Sequence, residues 1–80
     1  MWVRISEGET INVDSKVVRI LKEDLYVGQN KTGYYIGFFN SLDKSAKASY
    51  QYQFDNIEKR DQAFESINQQ LETIDITRLK

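Results

Sequence analysis

The side chains able to do chemistry in this chain are carboxylates, lysines and tyrosines, because it has no histidine and no cysteine. Catalytic thiols, imidazole bases and zinc sites built from these ligands are therefore excluded. The acids form no catalytic pattern: Glu7 and Glu9 flank one glycine, and Glu23 and Asp24 are adjacent. Paired carboxyl groups act by facing each other across a cleft, and a domain this small offers little cleft. We expect no catalytic, cofactor-binding or metal-binding residues and no enzymatic activity.

Aromatic side chains are the strongest positive signal, and they fall in two segments. In residues 34–39 the even and the odd positions alike are aromatic or apolar, so neither face of a strand there is polar. In residues 47–54 aromatic or alanine side chains alternate with polar ones. Such rings pair across strands within a sheet, form a contact between subunits or stack on unpaired bases. The sequence leaves all three interpretations open, with packing inside the chain as the first.

Stacking on bases defines a second functional hypothesis, a single-stranded nucleic-acid-binding protein that uses an aromatic sheet face. Its candidate residues are rings and lysines of the two segments and their flanks: Tyr34, Tyr35, Tyr50, Tyr52, Lys31 and Lys47. Proteins of this class are usually basic, whereas this chain carries a net charge of −1. Nucleic acid therefore ranks below protein as the expected partner.

The 80 residues form a single domain, 1–80, with a thin core. Domains of this size often gain stability from disulfides, a metal or a second subunit. Good packing and self-association are the routes that remain to a chain without Cys and His. No apolar run approaches the roughly 20 residues of a membrane span, and the first residues lack the layout of a signal peptide. We expect no membrane association and a cytoplasmic location.

Hydrophobic periodicity divides the chain into a β part, about 2–54, and a helical part. Alternation and turn residues predict short strands at 2–6, 10–13, 17–21, 25–29, 34–40 and 47–54. The charged run 22–24 is expected to end the third strand, and the polar tract 29–32 with Gly33 is expected to form a hairpin loop. Short connections predict that neighbouring strands pair in order, as an antiparallel meander.

Asp55 and Glu58 match a capping box at the start of a predicted amphipathic helix over residues 56–73. Its apolar positions form one stripe that we expect to pack on the sheet: Ile57, Phe64, Ile67, Leu71 and Ile74. The face opposite the stripe is expected to carry Lys59, Arg60, Glu65, Gln69 and Glu72. We also expect the acidic residues of the helix to lie in solvent: Asp55, Glu58, Asp61 and Glu65.

The predicted fold is α+β: an antiparallel meander of five or six short strands, forming a roll or half-barrel, packed by one C-terminal helix. The tail 75–80 either prolongs the helix or leaves it as a short extended segment. Because one helix covers only one face of a sheet, a curled sheet or a second subunit must cover the other. We predict a non-catalytic interaction or regulatory module that acts as a homodimer, with an unidentified protein partner. The expected interface residues are Trp2, Tyr35 and Phe39.

Overall fold

The computed structural model describes residues 1–14 and 18–78. Within these ranges it has one open sheet of six strands with a helix packed on it, which confirms the predicted α+β class. The elements in chain order are β1 (Trp2–Ser6), β2 (Glu9–Asn12), β3 (Arg19–Val27), β4 (Asn30–Phe39), β5 (Tyr50–Phe54), α1 (Ile57–Gln70), β6 (Ile74–Asp75) and a short 3₁₀ helix (Ile76–Arg78). The first residue of the strand predicted at 17–21 lies outside the described ranges.

The sheet has the strand order β5-β4-β3-β2-β1-β6. Strands β1 to β5 form the predicted antiparallel meander, including the hairpin between the two aromatic segments. The tail leaves the helix and adds β6 in parallel beside β1, where Val3 pairs with Ile74. Helix α1 crosses the sheet from β5 at one edge to β6 at the other, and this crossover lets β6 run in the same direction as β1. The helix is thereby tied to the sheet at both of its ends.

Strand β3 runs without a break through Lys22, Glu23 and Asp24, so the predicted end of the strand at these residues was wrong. Each of the three charges has a partner. Lys22 and Asp24 face the helix and pair with charges there, while Glu23 accepts a hydrogen bond of 3.0 Å from Gln51 on the other face. Paired charges remove the penalty that a charged run would otherwise bring to a strand.

The turn between β3 and β4 consists of two residues, Gly28 and Gln29, and the predicted loop over 29–33 was wrong. Gly28 has a φ of 62°, which suits the first central position of a type II′ hairpin turn. Gly33 lies inside β4 instead of in the loop. A Cβ atom there would lie 2.9 Å from Cε2 of Tyr35, so this glycine makes room for the ring.

The core is a small cluster centred on Phe64, whose side chain is fully buried against Ile20 and Ile36. These residues come from α1, β3 and β4, so the cluster lies between the helix and one face of the sheet. Partly buried apolar residues surround it: Trp2, Phe38, Phe54, Ala63, Ile67 and Leu71.

The predicted apolar stripe of the helix is only partly its buried face. Ile57 is 40% exposed and Ile74 belongs to β6, so neither packs under the helix. Arg60 and Asn68, one turn before and one turn after Phe64, are buried instead. The pattern was misleading because these two polar side chains have partners in the sheet.

The helix begins one residue later than predicted. Asn56 is the N-cap, and its side chain accepts a hydrogen bond of 2.8 Å from the backbone N–H of Lys59. This bond satisfies one of the N–H groups that the first turn leaves without an intrahelical partner. Asp55, the predicted cap, lies just outside and forms a surface ion pair of 3.5 Å with Lys59.

The end of the helix is a Schellman motif. The N–H of Thr73 donates to the carbonyl of Asn68 at 3.0 Å, and the N–H of Glu72 donates to that of Gln69 at 3.1 Å. Glu72 has a φ of 54°, in the left-handed region that glycine usually occupies. The sequence carries no glycine here, and this concealed the end of the helix.

Replacing Phe64 by alanine should lower the free energy of unfolding by about 3 to 5 kcal/mol, because a fully buried ring leaves a cavity. Ile57→Ala is the matched control. Its side chain is 40% exposed, and we expect a loss below about 1 kcal/mol. Urea unfolding of both variants measures the difference. Similar losses would contradict this placement of the helix.

Replacing Glu72 by glycine should raise the free energy of unfolding by about 0.5 to 1 kcal/mol, because it relieves the left-handed backbone. Gln70→Gly is the control, since Gln70 lies in the right-handed helix and glycine costs stability there. Thermal unfolding should shift in opposite directions for the two variants. A lower melting temperature for Glu72→Gly would refute this account of the helix end.

Candidate functional site

Three cationic side chains are buried between α1 and the face of the sheet on which it packs. Arg4, Lys22 and Arg60 have side-chain exposures of 8%, 8% and 6%. Removing a cation from water costs several kcal/mol unless a carboxylate and hydrogen bonds replace the lost hydration. Each of the three has such partners, and together they make the layer under the helix partly ionic.

Arg60 joins the helix to β3. Its Nη1 donates to Oδ1 of Asp24 at 2.5 Å and to the carbonyl of Glu23 at 2.7 Å. Its Nε donates to Oδ1 of Asp61 at 3.0 Å. Lys31 of β4 approaches the second oxygen of Asp24 at 3.1 Å. Asp24 therefore bridges two cations, one from the helix and one from the neighbouring strand.

The charges of this group hold one another ionised. Burial raises the pKa of Asp24, but hydrogen bonds from Arg60 and Lys31 and their positive charges outweigh it, so the net shift is downward. Desolvation lowers the pKa of Arg60, yet its bonds to Asp24 and Asp61 shift that pKa upward overall. The hydrogen bond to Asp24 raises the pKa of Lys31. A general acid or base works best with a pKa near the operating pH. The shifts described here move the pKa values of Asp24, Arg60 and Lys31 further from neutral pH.

Arg4 and Lys22 lie close to the ring of Phe64. The guanidinium carbon of Arg4 is 5.2 Å from the ring centroid, and the Lys22 ammonium is 5.4 Å from it. Arg4 donates to both carboxylate oxygens of Glu65 at 2.6 and 2.9 Å, and Lys22 lies 3.4 Å from Asp61. The expectation that these two acidic residues of the helix face solvent was wrong, because both are turned toward cations of the sheet.

A neutral contact completes the polar layer. The hydroxyl of Thr10, which is fully buried, donates to Oδ1 of Asn68 at 2.6 Å. The amide of Asn68 in turn donates to the carbonyl of Phe64 at 2.9 Å. Both groups satisfy the rule that buried polar atoms are hydrogen-bonded. These hydrogen bonds connect the helix to β2 and help to fix its position on the sheet.

The three expected interface residues do not form one surface. Trp2 packs against the core on the helix side, and Tyr35 is on the opposite face. Phe39 is only 4% exposed, with the guanidinium of Arg19 4.5 Å from its ring centroid. That guanidinium also donates to the carbonyl of Asp43 at 3.3 Å, so part of the connection 40–49 lies near this ring. Tyr35 is the one of the three that stands on an accessible part of the sheet.

The nucleic-acid candidates are divided between the two faces. Tyr35 lies away from the helix, while Tyr34, Tyr50 and Tyr52 are on the helix side. The ammonium of Lys31 is 5.3 Å from the Tyr34 ring but is engaged by Asp24, and Lys47 is exposed in the connection before β5. Positive charge is therefore not collected along the tyrosine rings.

The face of the sheet away from α1 carries apolar side chains on five neighbouring strands. We call these residues the open face: Val3, Ile5, Ile11, Leu21, Leu25, Tyr35 and Ile74. Ile5, Leu25 and Ile74 are 38%, 48% and 46% exposed, and the others are partly buried. Three charged residues, Glu9, Arg19 and Glu23, lie on the same face among these apolar side chains. Exposed apolar residues that are gathered on one face are typical of a contact with another molecule.

An open cavity of about 280 Å³ lies where β1 meets the end of α1 and the segment after it. Its charged lining residues are paired: Arg4 with Glu65 and Asp75, and Arg78 with Asp75. The two cations and two anions cancel, so the cavity has no net charge to attract an ion. Within residues 1–14 and 18–78, no group of three or more acidic side chains is placed to hold a metal.

A scan against protein-family models and searches of curated proteins and solved structures find no match to this chain. None of the helices in the described ranges is long and apolar enough to cross a membrane.

Sequence reasoning missed the polar layer, although a signal for it was present. Strand alternation places Arg4 with Trp2, and places Lys22 and Asp24 on the same side as Ile20. Charged residues at inward-facing positions of a strand are unusual unless they are paired. That pattern indicates partners on whichever element covers the face, and hence charged residues on the buried side of the helix.

Replacing Asp24 by asparagine should lower the free energy of unfolding by about 1.5 to 3 kcal/mol near neutral pH, because the buried Arg60 loses a charged acceptor. Folding lowers the pKa of Asp24. The stability that the ionised carboxylate of Asp24 contributes is therefore fully present above the ordinary carboxyl pKa of about 3.9. It is lost as the pH falls through the folded-state pKa. The difference in unfolding free energy between wild type and variant should shrink toward zero as pH falls through the folded-state pKa of Asp24, which lies below that ordinary value.

Urea unfolding from about pH 6.5 downward measures this difference. The control is Asp55→Asn, whose side chain is 89% exposed and forms only the surface pair with Lys59. It should change stability by less than about 0.5 kcal/mol at every pH. A difference for Asp24→Asn that does not vary with pH would show that the ion pair is not its source.

Proposed function

We propose that this chain is a small, non-catalytic interaction module that acts as a homodimer. The observation that supports an interaction module is the open face: α1 covers one side of the sheet, and apolar side chains of five strands remain accessible to a protein partner on the other. A surface of this kind serves association better than chemistry. Self-association is supported separately, by the small core. The buried cations are ion-paired within the chain: Arg4 with Glu65, Lys22 with Asp61 and Arg60 with Asp24. In this proposal none of these groups serves as a general acid or base.

The size of the core favours self-association. The fully apolar centre of the molecule consists of Ile20, Ile36 and Phe64, a small cluster for a domain of 80 residues. A second subunit that binds only the folded chain stabilises it by mass action. The net charge of −1 offers little repulsion between two copies. In this proposal Tyr35, at the edge of the open face nearest β5, belongs to a protein-binding surface.

Single-stranded nucleic-acid binding is the second candidate. The observation in its favour is the exposure of Tyr50 and Tyr52, 57% and 55%, with ring centroids 5.2 Å apart. Exposed rings on a strand are suitable for base stacking. The engagement of Lys31 by Asp24 and the position of Tyr35 on the other face weaken this candidate.

Light scattering and urea unfolding over about 1 to 100 μM chain test the proposal, since the midpoint of a dimer rises with concentration. We expect the mass of two chains at the upper end and a midpoint that increases along the series. The same samples titrated against a labelled oligonucleotide should show no binding at physiological salt. A monomer throughout, with oligonucleotide binding that weakens steeply as salt is added, would overturn the proposal in favour of the second candidate.

A further inference from the structure

Strand β5 forms one edge of the sheet, and no strand among the described residues pairs with its outer side. Its residues 50–53 are all exposed. Natural sheets usually protect such an edge with lysine, proline, a bulge or a very short strand. The opposite edge is protected in this way, because β6 has only two residues. Strand β5 has five residues and contains neither a charge nor a proline.

The sequence of β5 is complementary to itself. It reads Tyr50, Gln51, Tyr52, Gln53 and Phe54, with rings on the helix side and amides on the other. If a second β5 lies antiparallel to it with Tyr52 at the centre, Tyr52 faces its own copy and Tyr50 faces the second copy's Phe54. Gln51 then faces Gln53. Aromatic residues meet aromatic residues and amides meet amides, which are favourable cross-strand pairs.

The charges at the ends of the strand permit this register. Beyond the five residues, Ser49 lies opposite Asp55 of the second copy, so no like charges face each other. The rings of Tyr50 and Tyr52 lie at 60° to each other and stand clear of α1, as their exposure shows. The helix therefore leaves room for the second strand.

We infer that two copies of this chain pair antiparallel through their β5 edges, centred on Tyr52, and form one continuous sheet. This inference rests on the proposed homodimer and states where its contact lies. The two-fold axis of such a pairing is perpendicular to the sheet, so the contact is isologous. Both helices then lie on one side, and both open faces lie on the other. The open faces remain accessible and become neighbours.

A charge-swap experiment tests the register. Tyr52→Lys and Tyr52→Glu each place two like charges opposite each other in the proposed pair, and each should weaken dimerisation about tenfold or more. Mixing the two variants in equal amounts places a lysine opposite a glutamate. This should restore dimers that contain one Tyr52→Lys chain and one Tyr52→Glu chain. The controls are Tyr26→Lys and Tyr26→Glu. Tyr26 is 54% exposed, against 55% for Tyr52, but lies on β3 far from the edge.

Sedimentation or light scattering of each variant and of the mixture gives the readout. Dimers that persist in both Tyr52 variants would overturn the inference and leave the proposed homodimer standing, with its contact elsewhere. Monomeric variants whose mixture also stays monomeric would overturn the register centred on Tyr52. A monomeric wild type would overturn both the inference and the proposed function. Circular dichroism of each variant confirms that its chain is folded.

A second measurement does not depend on charge. Because the chain has no cysteine, Tyr52→Cys introduces a single thiol, and oxidation can join only two copies. Directly opposite residues of antiparallel strands have Cα atoms about 4.5 to 5.5 Å apart, within the range of a disulfide. The Tyr52→Cys chain should oxidise to a covalent dimer much faster than Tyr26→Cys. Equal rates for the two would overturn the inference.

Discussion

The position of the helix depends on cations that are buried beneath it. Phe64 alone could slide or rotate on an apolar sheet, since hydrophobic contact has little directionality. The contacts of Arg60 with Asp24 and of Arg4 with Glu65 are directional and pair these buried charges in the observed arrangement. Buried ion pairs add little net stability compared with apolar residues of the same volume, but losing one partner is costly. Here they select one position of the helix on the sheet.

This arrangement also limits what the protein can do. Arg4, Lys22 and Arg60 are used to hold the helix, so they are not available to attract phosphate groups. The acidic side chains Glu65, Asp61 and Asp24 are likewise engaged in these ion pairs. What remains accessible is the open face and the edge at β5. The proposed function therefore depends on apolar surface and backbone hydrogen bonding rather than on charge.

The parts of the fold that could be predicted are those set by local pattern. Alternation located β1 and the hairpin of β4 and β5, and the 3.6-residue period located the helix around Phe64. The wrong predictions concern residues whose conformation depends on a side-chain contact rather than on the local hydrophobic pattern. Lys22 stays in a strand because Asp61 lies above it, and Gly33 is a strand residue because a ring packs over it. Asp61 is far from Lys22 in sequence, so no local pattern could reveal that partner, whereas Tyr35 lies only two residues from Gly33 on the same strand.

The candidate site was harder to predict than the fold, because exposure depends on both faces of the sheet at once. Trp2 and Tyr35 seemed equivalent as isolated rings, yet the helix covers one and leaves the other.

In the proposed dimer, each open face has a copy beside it related by two-fold symmetry. A partner that also carries two equivalent surfaces gains from binding both, because the second contact forms at a high effective concentration. Pairing at β5 would thus convert a small and weak surface into one with useful affinity, without any additional contact residue.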